Sequence, residues 1–148
     1  MPVAEVFVDT NVLLYMHDAR NPEKRGVASR WLHRLARDQR ARVNLQVLNE
    51  LASVLERKRW FDTYDDVVRI VDHFAALGSS PITLKTVETA RAIKRANGFS
   101  WWDCLLLGSA LELGCSHFLS EDLHDGQQIG GMMVVNPFLH DPADVLGP

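Results

Sequence analysis

Residues 99–125 constrain this chain more than any other stretch. They read Phe99-Ser-Trp-Trp-Asp103-Cys-Leu-Leu-Leu-Gly-Ser-Ala-Leu-Glu-Leu-Gly114, then Cys115-Ser-His-Phe-Leu119, then Ser120-Glu-Asp122-Leu-His-Asp125. Ser100 is placed to cap a helix and Gly114 to end it. Between them the helix is apolar on most sides, so it is expected to be buried. A short apolar strand follows and breaks off in acids. An acid in the first turn of a buried helix and more acids at a strand end are expected to lie close together. Carboxylates crowded beside a core repel one another and resist desolvation unless a cation or proton compensates.

Further back, Glu5-Val-Phe-Val8 is a short β-type run that stops at Asp9. Residues 11–17 read as a short helix entered directly from it. Asn21-Pro22-Glu23 starts a helix with a cap, a first-turn proline and an acid at the positive dipole end. That helix is expected to reach about Gln39 and to bury Val27, Trp31, Leu32 and Leu35. Asn44 can cap the next helix, whose inward face is Val47, Leu48, Leu51, Val54 and Leu55, with Glu50 on its flank. Thr63-Tyr-Asp-Asp66 resembles a capping box, and Gly78 closes its helix. Residues 81–83 read as a brief extended piece before a helix capped by Thr83 and ending near Asn97-Gly98. Residues 129–135 supply a last strand, and residues 136–148 a C-terminal tail.

Short apolar strands alternating with helices predict an α/β fold: a parallel β-sheet flanked by helices on both faces. The 148 residues, 47% hydrophobic and 24% charged, suit a single domain over 1–148. With a net charge of −3, nothing marks the whole chain as a polyelectrolyte binder, so a nucleic-acid partner needs local basic patches. Arg30, Arg34 and Arg37 recur along one helix; Arg57-Lys58-Arg59 and Arg91, Lys94 and Arg95 form two other groups. Cys104 and Cys115 read as reduced core thiols, which fits the cytosol. No charged-then-apolar leader and no bilayer-length apolar run is present, so a cytoplasmic protein without membrane association is expected.

In open α/β sheets, ligands bind beyond the carboxyl ends of the strands. Asp9 follows the first strand, Asp122 and Asp125 follow the strand at 115–119, and Asp103 opens the buried helix. Each has a plain structural reading. Asp9 can cap a helix, Asp103 can complete a capping box with Ser100, Glu50 can reach solvent, Asp122 and Asp125 can serve a turn, and Glu121 reads as a surface or turn residue. Jointly, acids gathered on one edge without Cys or His partners are hard oxygen ligands that fit magnesium or manganese. Such ions suit metal-assisted phosphodiester hydrolysis.

Val8-Asp9-Thr10-Asn11-Val-Leu-Leu, Asn49-Glu50-Leu51, Trp102-Asp103, Ser120-Glu121-Asp122-Leu123 and the closing Val134-Val-Asn136-Pro-Phe138 together resemble a PIN-domain ribonuclease. The likeness is strongest to VapC-type toxins of bacterial and archaeal toxin–antitoxin pairs. It implies an endoribonuclease using Mg2+ or Mn2+, with its acids at Asp9, Glu50, Asp103 and Asp122. Asp9, Asp103 and Asp122 would be ligands, and Glu50 an outer ligand or the group orienting water. Thr10, Asn11 and Ser120 would shape the site, and Asp125 matches a position less consistently acidic. The resemblance also implies an RNA substrate, a small inhibitory antitoxin and a homodimer; apolar residues around Trp60-Phe61 and Tyr64 hint at an interface. His17, His117 and His124 read as structural or solvated. Of the adjacent Trp101 and Trp102, a helix can bury only one well; Trp102 is assigned to the core and the other left to stack on a base.

Three alternatives stand beside this reading. A haloacid-dehalogenase-type phosphatase needs a second acid two residues after the first, where this chain has Asn11. A non-catalytic binding module would use its acids only as caps. A PIN nuclease in RNA processing would share the chemistry without the toxin role.

Overall fold

The structure, a computed structural model, describes residues 4–148. Residues 1–3, which begin the domain expected over 1–148, lie outside the described residues. The chain opens with β1 (Val6–Val8), α1 (Thr10–Tyr15), α2 (Pro22–Arg37) and β2 (Ala41–Arg42). Four helices follow: α3 (Leu45–Lys58), α4 (Tyr64–Ala75), α5 (Leu84–Asn97) and α6 (Trp101–Glu112). It closes with β3 (His117–Leu119), β4 (Gln128–Ile129), β5 (Met132–Val135) and α7 (Pro142–Leu146). Among the described residues these elements form two compact units, residues 4–42 with 114–148, and 43–113.

The first unit holds the sheet, in the order β2-β1-β3-β5-β4. Its first four strands pair in parallel, and β4 joins β5 antiparallel. Phe7 lies in register with Phe118, and their rings stack with centroids 5.4 Å apart. Strand order runs one way from β1 to β2 and the other way to β3, so the switch point lies where β1 and β3 end. Val8 pairs with Leu119 at that edge, which sets Asp9 and Ser120 side by side.

The buried face of α2 is Ala28, Trp31, Leu32 and Leu35. Those positions are spaced i, i+3, i+4 and i+7, so Ala28 takes the inward place expected of Val27, which is only half-buried. Trp31 is fully buried, and its Nε1 donates to the carbonyls of Pro137 (3.0 Å) and His140 (3.2 Å). The tail is thereby pinned to α2. It also contains a short helix that the sequence reading did not expect, capped by Asp141 on the Ala143 N–H at 3.0 Å. The strand expected over 129–135 is a hairpin: Gly130 and Gly131 both hold positive φ (57° and 84°) between β4 and β5. Two left-handed residues match the twist of a tight hairpin turn.

In the second unit, Asn44 Oδ1 accepts from the Val47 N–H at 3.0 Å and starts α3. Of its expected inward face, Val47, Leu48, Leu51 and Leu55 are buried and Val54 is half-buried. Thr63 and Asp66 form the expected capping box of α4, and Thr83 forms another with Thr86 on α5. Residues 81–83 form no strand; the chain makes only an isolated parallel bridge between Asn44 and Ser80. Helix α6 is buried continuously from Cys104 to Ala110, as its apolar sequence requires. It packs on α5, and Gly108 lets the backbones approach: an added Cβ would meet Thr86 O at 3.2 Å and Ala90 N at 3.3 Å. Both cysteines are free and buried. Burial raises the Cys104 thiol and pushes that of Cys115 up to about 12, so both stay protonated and inert. Among the described residues, no helix is long and apolar enough to cross a membrane.

Candidate active site

The edge where β1 and β3 end carries a network of short polar side chains. The Asp9 N–H donates to Leu119 O at 3.0 Å, so the strand pairing runs directly into the site. Asp9 is 5% exposed and caps α1, with Oδ1 accepting from the Thr10 N–H at 2.7 Å. Its other oxygen, Oδ2, accepts from Ser120 Oγ at 2.8 Å and Asn11 Nδ2 at 3.2 Å. Ser120 is fully buried and anchored by its N–H on Val135 O at 3.0 Å. Its hydroxyl oxygen also accepts from the Asp122 N–H at 3.2 Å, which turns that residue back over the strand end. Asn11 Nδ2 then donates to Asp122 Oδ2 at 2.9 Å. Asp9 therefore caps α1 with one oxygen and joins the polar network of this edge with the other.

One carboxamide nitrogen thus stands between the carboxylates of Asp9 and Asp122. It carries partial positive charge but no net charge, so this bridge between the two carboxyl groups brings no cation to them. That arrangement suits a hard cation, for which carboxylate oxygens are the preferred ligands. Among the described residues, no group of three or more His, Cys, Asp or Glu side chains is disposed to hold a metal ion.

Glu121, expected as a turn residue, has a structural task. Its Oε1 accepts from Lys24 Nζ at 2.6 Å, and that ammonium lies 4.9 Å from the ring centroids of both Tyr15 and Phe138. The Glu121 hydrogen bond raises the Lys24 pKa, against the opposing effect of burial. The clamp fastens α2 to the turn carrying Asp122. Nothing local in the sequence points to this pair, whose members are 97 positions apart.

Asp125 faces the tail. Its Oδ1 accepts from the Asn136 N–H at 2.9 Å, and its Oδ2 is 2.8 Å from His140 Nε2. Burial works to raise its pKa, but the Asn136 N–H and His140 outweigh it and hold the carboxyl below its usual range. The folded-state value is depressed, so this contact stabilises the fold above the unfolded pKa of about 4 and is lost as pH falls through the lower folded value. Asp125→Asn is expected to show a shallower fall in Tm than the parent below about pH 4. Identical acid limbs in thermal melts would exclude this contribution.

In the second unit, half-buried Glu50 accepts from Gln46 Nε2 at 2.9 Å, and the same nitrogen donates to Trp102 O at 3.1 Å. The Gln46 amide therefore joins Glu50 to the first turn of α6. Asp103 sits in that turn, with its N–H donating to the capping Ser100 Oγ at 3.2 Å. The assignment of Trp102 to the core is corrected: the residue is 64% exposed. Burial of α6 begins at Cys104, and the helical turn carries Trp102 away from that side. The basic ridge on α2 is also partly committed to the fold. Arg34 bonds Asp38 at 2.6 Å and the Gly147 carbonyl at 2.8 Å, and Arg37 bonds Asp38 at 3.0 Å.

The sequence profile of the PIN domain matches residues 6–124, and the chain belongs to the PIN domain family, whose members are typically metal-dependent nucleases. No curated protein matches the sequence. Among solved structures, the chain resembles VapBC2 from Rickettsia felis, bound to a DNA fragment from its promoter. They are 15% identical over 87% of this chain and 96% of that one, with a TM-score of 0.64. A toxin–antitoxin complex from Klebsiella pneumoniae is 16% identical over 90% and 98%, with a TM-score of 0.64. VapC20 of Mycobacterium tuberculosis, a toxin that cleaves the sarcin–ricin loop, is 18% identical over 77% and 87%, with a TM-score of 0.58. At these identities the likeness is one of fold.

Proposed function

We propose that this chain is a Mg2+- or Mn2+-dependent endoribonuclease and the toxin of a toxin–antitoxin pair. It would act in the cytoplasm as a homodimer restrained by a small antitoxin. The observation that carries the reading is the pairing of the Asp9 and Asp122 carboxylates through one Asn11 nitrogen at 3.2 and 2.9 Å. Family membership supports the nuclease class, and likeness of fold to VapBC chains motivates the toxin role.

In this reading Asp9, Asp103 and Asp122 would be direct or water-mediated ligands of the metal, and Glu50 would be an outer ligand or would orient the attacking water. When bound, the ion supplies a water of lowered pKa and neutralises charge on the phosphodiester. Ser120 fixes the rotamer of Asp9 through its bond to Oδ2. Asn11 offers a donor that can turn from the carboxylates toward a phosphate oxygen, and Thr10 holds the first turn of α1 against Asp9.

The test is cleavage of labelled RNA by the purified chain after chelation, with Mg2+ or Mn2+ restored. Expected is activity lost on chelation and recovered with either ion. Absence of both cleavage and divalent-ion binding by calorimetry would assign the chain to the non-catalytic modules. Growth arrest on expression, relieved by a neighbouring small gene, would separate a toxin from a PIN nuclease of RNA processing.

A further inference from the structure

Lys24 and Glu121 lie outside the Asp9 network, yet their contact bears on it. Asn21 Oδ1 accepts from the Lys24 N–H at 3.2 Å, which fixes Lys24 in the first turn of α2. A cation there opposes the helix dipole, so the position calls for an acidic partner. Glu121 supplies it, with Oε1 accepting from Lys24 Nζ at 2.6 Å. The ammonium also donates to Tyr15 Oη at 3.4 Å and lies 4.9 Å from the ring centroids of Tyr15 and Phe138. Those rings meet edge to face at 5.1 Å. The charged side chains of the pair are 33% and 27% exposed. So far out of water, removing one partner leaves the other charge uncompensated, a larger loss than at a surface pair.

The chain leaves the sheet after Ser120 and returns to it where the Gly126 N–H donates to Val134 O at 2.8 Å. Asp122 lies between. Its N–H donates to Ser120 Oγ at 3.2 Å, and its Oδ2 accepts from Asn11 Nδ2 at 2.9 Å. Both partners also bond Asp9, so these contacts belong to the site itself. An ion among the carboxylates would compete for the same oxygens. The Lys24–Glu121 pair holds the adjacent residue without drawing on any group of the site.

We propose that Lys24 and Glu121 are positioning residues: their ion pair, seated against Tyr15 and Phe138, holds the 120–122 turn so that the Asp122 carboxylate stays at the Asn11 carboxamide it shares with Asp9. The inference rests on the nuclease reading and deepens it, by giving Asp122 an anchor that metal binding does not disturb. Neither residue needs to touch the ion or the RNA.

The test is Lys24→Met in the full chain, with Lys24→Arg as the conservative variant and Glu121→Gln and Asp122→Asn beside them. Without metal, hydrogen exchange at the Asp122 N–H should speed up about tenfold in Lys24→Met, a local opening, while protection in β5 stays at the parent's level. Calorimetry should show Mn2+ bound about tenfold more weakly, the usual scale for losing a group that orients a ligand. Cleavage at limiting Mn2+ should fall by the same factor and recover at saturating Mn2+. Lys24→Arg keeps the charge and the ring contacts, so it should restore most of all three. Parent exchange at Asp122 together with parent Mn2+ affinity in Lys24→Met would overturn the proposal. Faster exchange spread evenly over β5 and the turn, with Mn2+ affinity unchanged, would overturn it too, by reducing the pair to a general brace. If Glu121→Gln lost Mn2+ as completely as Asp122→Asn while Lys24→Met bound it normally, Glu121 would be a ligand and the proposal wrong. If the parent neither binds Mn2+ nor cleaves RNA, the nuclease reading fails, while faster exchange confined to the turn in Lys24→Met still assigns the pair its hold on Asp122.

Discussion

Asp9→Asn is expected to lower metal-stimulated RNA cleavage by about a thousandfold or more while leaving the fold intact. The substitution separates the two tasks of this residue. As a cap, Asp9 presents Oδ1 to the Thr10 N–H at 2.7 Å, and asparagine caps helices about as well as aspartate. As the proposed ligand, Asp9 would present Oδ2, and the amide would remove both the charge and that lone-pair set. The new nitrogen would face Asn11 Nδ2, donor against donor, whereas the Ser120 hydroxyl can rotate and accept. Loss of several kcal/mol of electrostatic stabilisation, at about 1.4 kcal/mol per factor of ten, gives the stated scale. Asp9→Ala should lose the cap as well, adding about 0.5–2 kcal/mol of destabilisation. The pair is read out by kcat/KM at saturating Mn2+ and by Tm. Cleavage by Asp9→Asn within tenfold of the parent would remove Asp9 from the mechanism.

What the sequence revealed was local chemistry. Asn21, Asn44, Thr63, Thr83 and Ser100 cap the helices as read, because a cap is written in three or four consecutive residues. The burial of α6 was equally legible, since a helix with no polar face has nowhere else to go. That Ser120 belongs with Asp9 came from the family resemblance, and the contact itself required the register of β1 against β3. The misses have the complementary cause. Glu121 looked like a turn residue because its cation lies 97 positions away, and Asp125 because its partners lie 11 and 15 positions on. Trp102 was misplaced because the first turn of a helix can face either way until its neighbours are known. The β4–β5 hairpin was in principle readable: Gly130-Gly131 between apolar residues is a turn signal. Reading the run as one strand passed over it.

The largest effect on stability is expected at Trp31. It is the largest of the fully buried side chains, and its indole Nε1 serves two tail carbonyls, Pro137 O at 3.0 Å and His140 O at 3.2 Å. Trp31→Ala removes the packing and the donor together, at a cost of about 3–5 kcal/mol. Trp31→Phe keeps most of the apolar volume and leaves the carbonyls without that donor, for about 1–3 kcal/mol. Urea unfolding of both variants apportions the effect between packing and hydrogen bonding. A cost below about 1 kcal/mol for the alanine variant would mean that the tail is not held by α2. The phenylalanine variant carries a second consequence, because His140 also approaches Asp125 at 2.8 Å. A tail released from Trp31 should loosen that pair, so the carboxyl of Asp125 should return toward its ordinary range. Trp31→Phe should therefore flatten the acid limb of the stability curve as Asp125→Asn does, and the double variant should flatten it no further. Additive flattening would show that the indole and the carboxylate hold the tail independently.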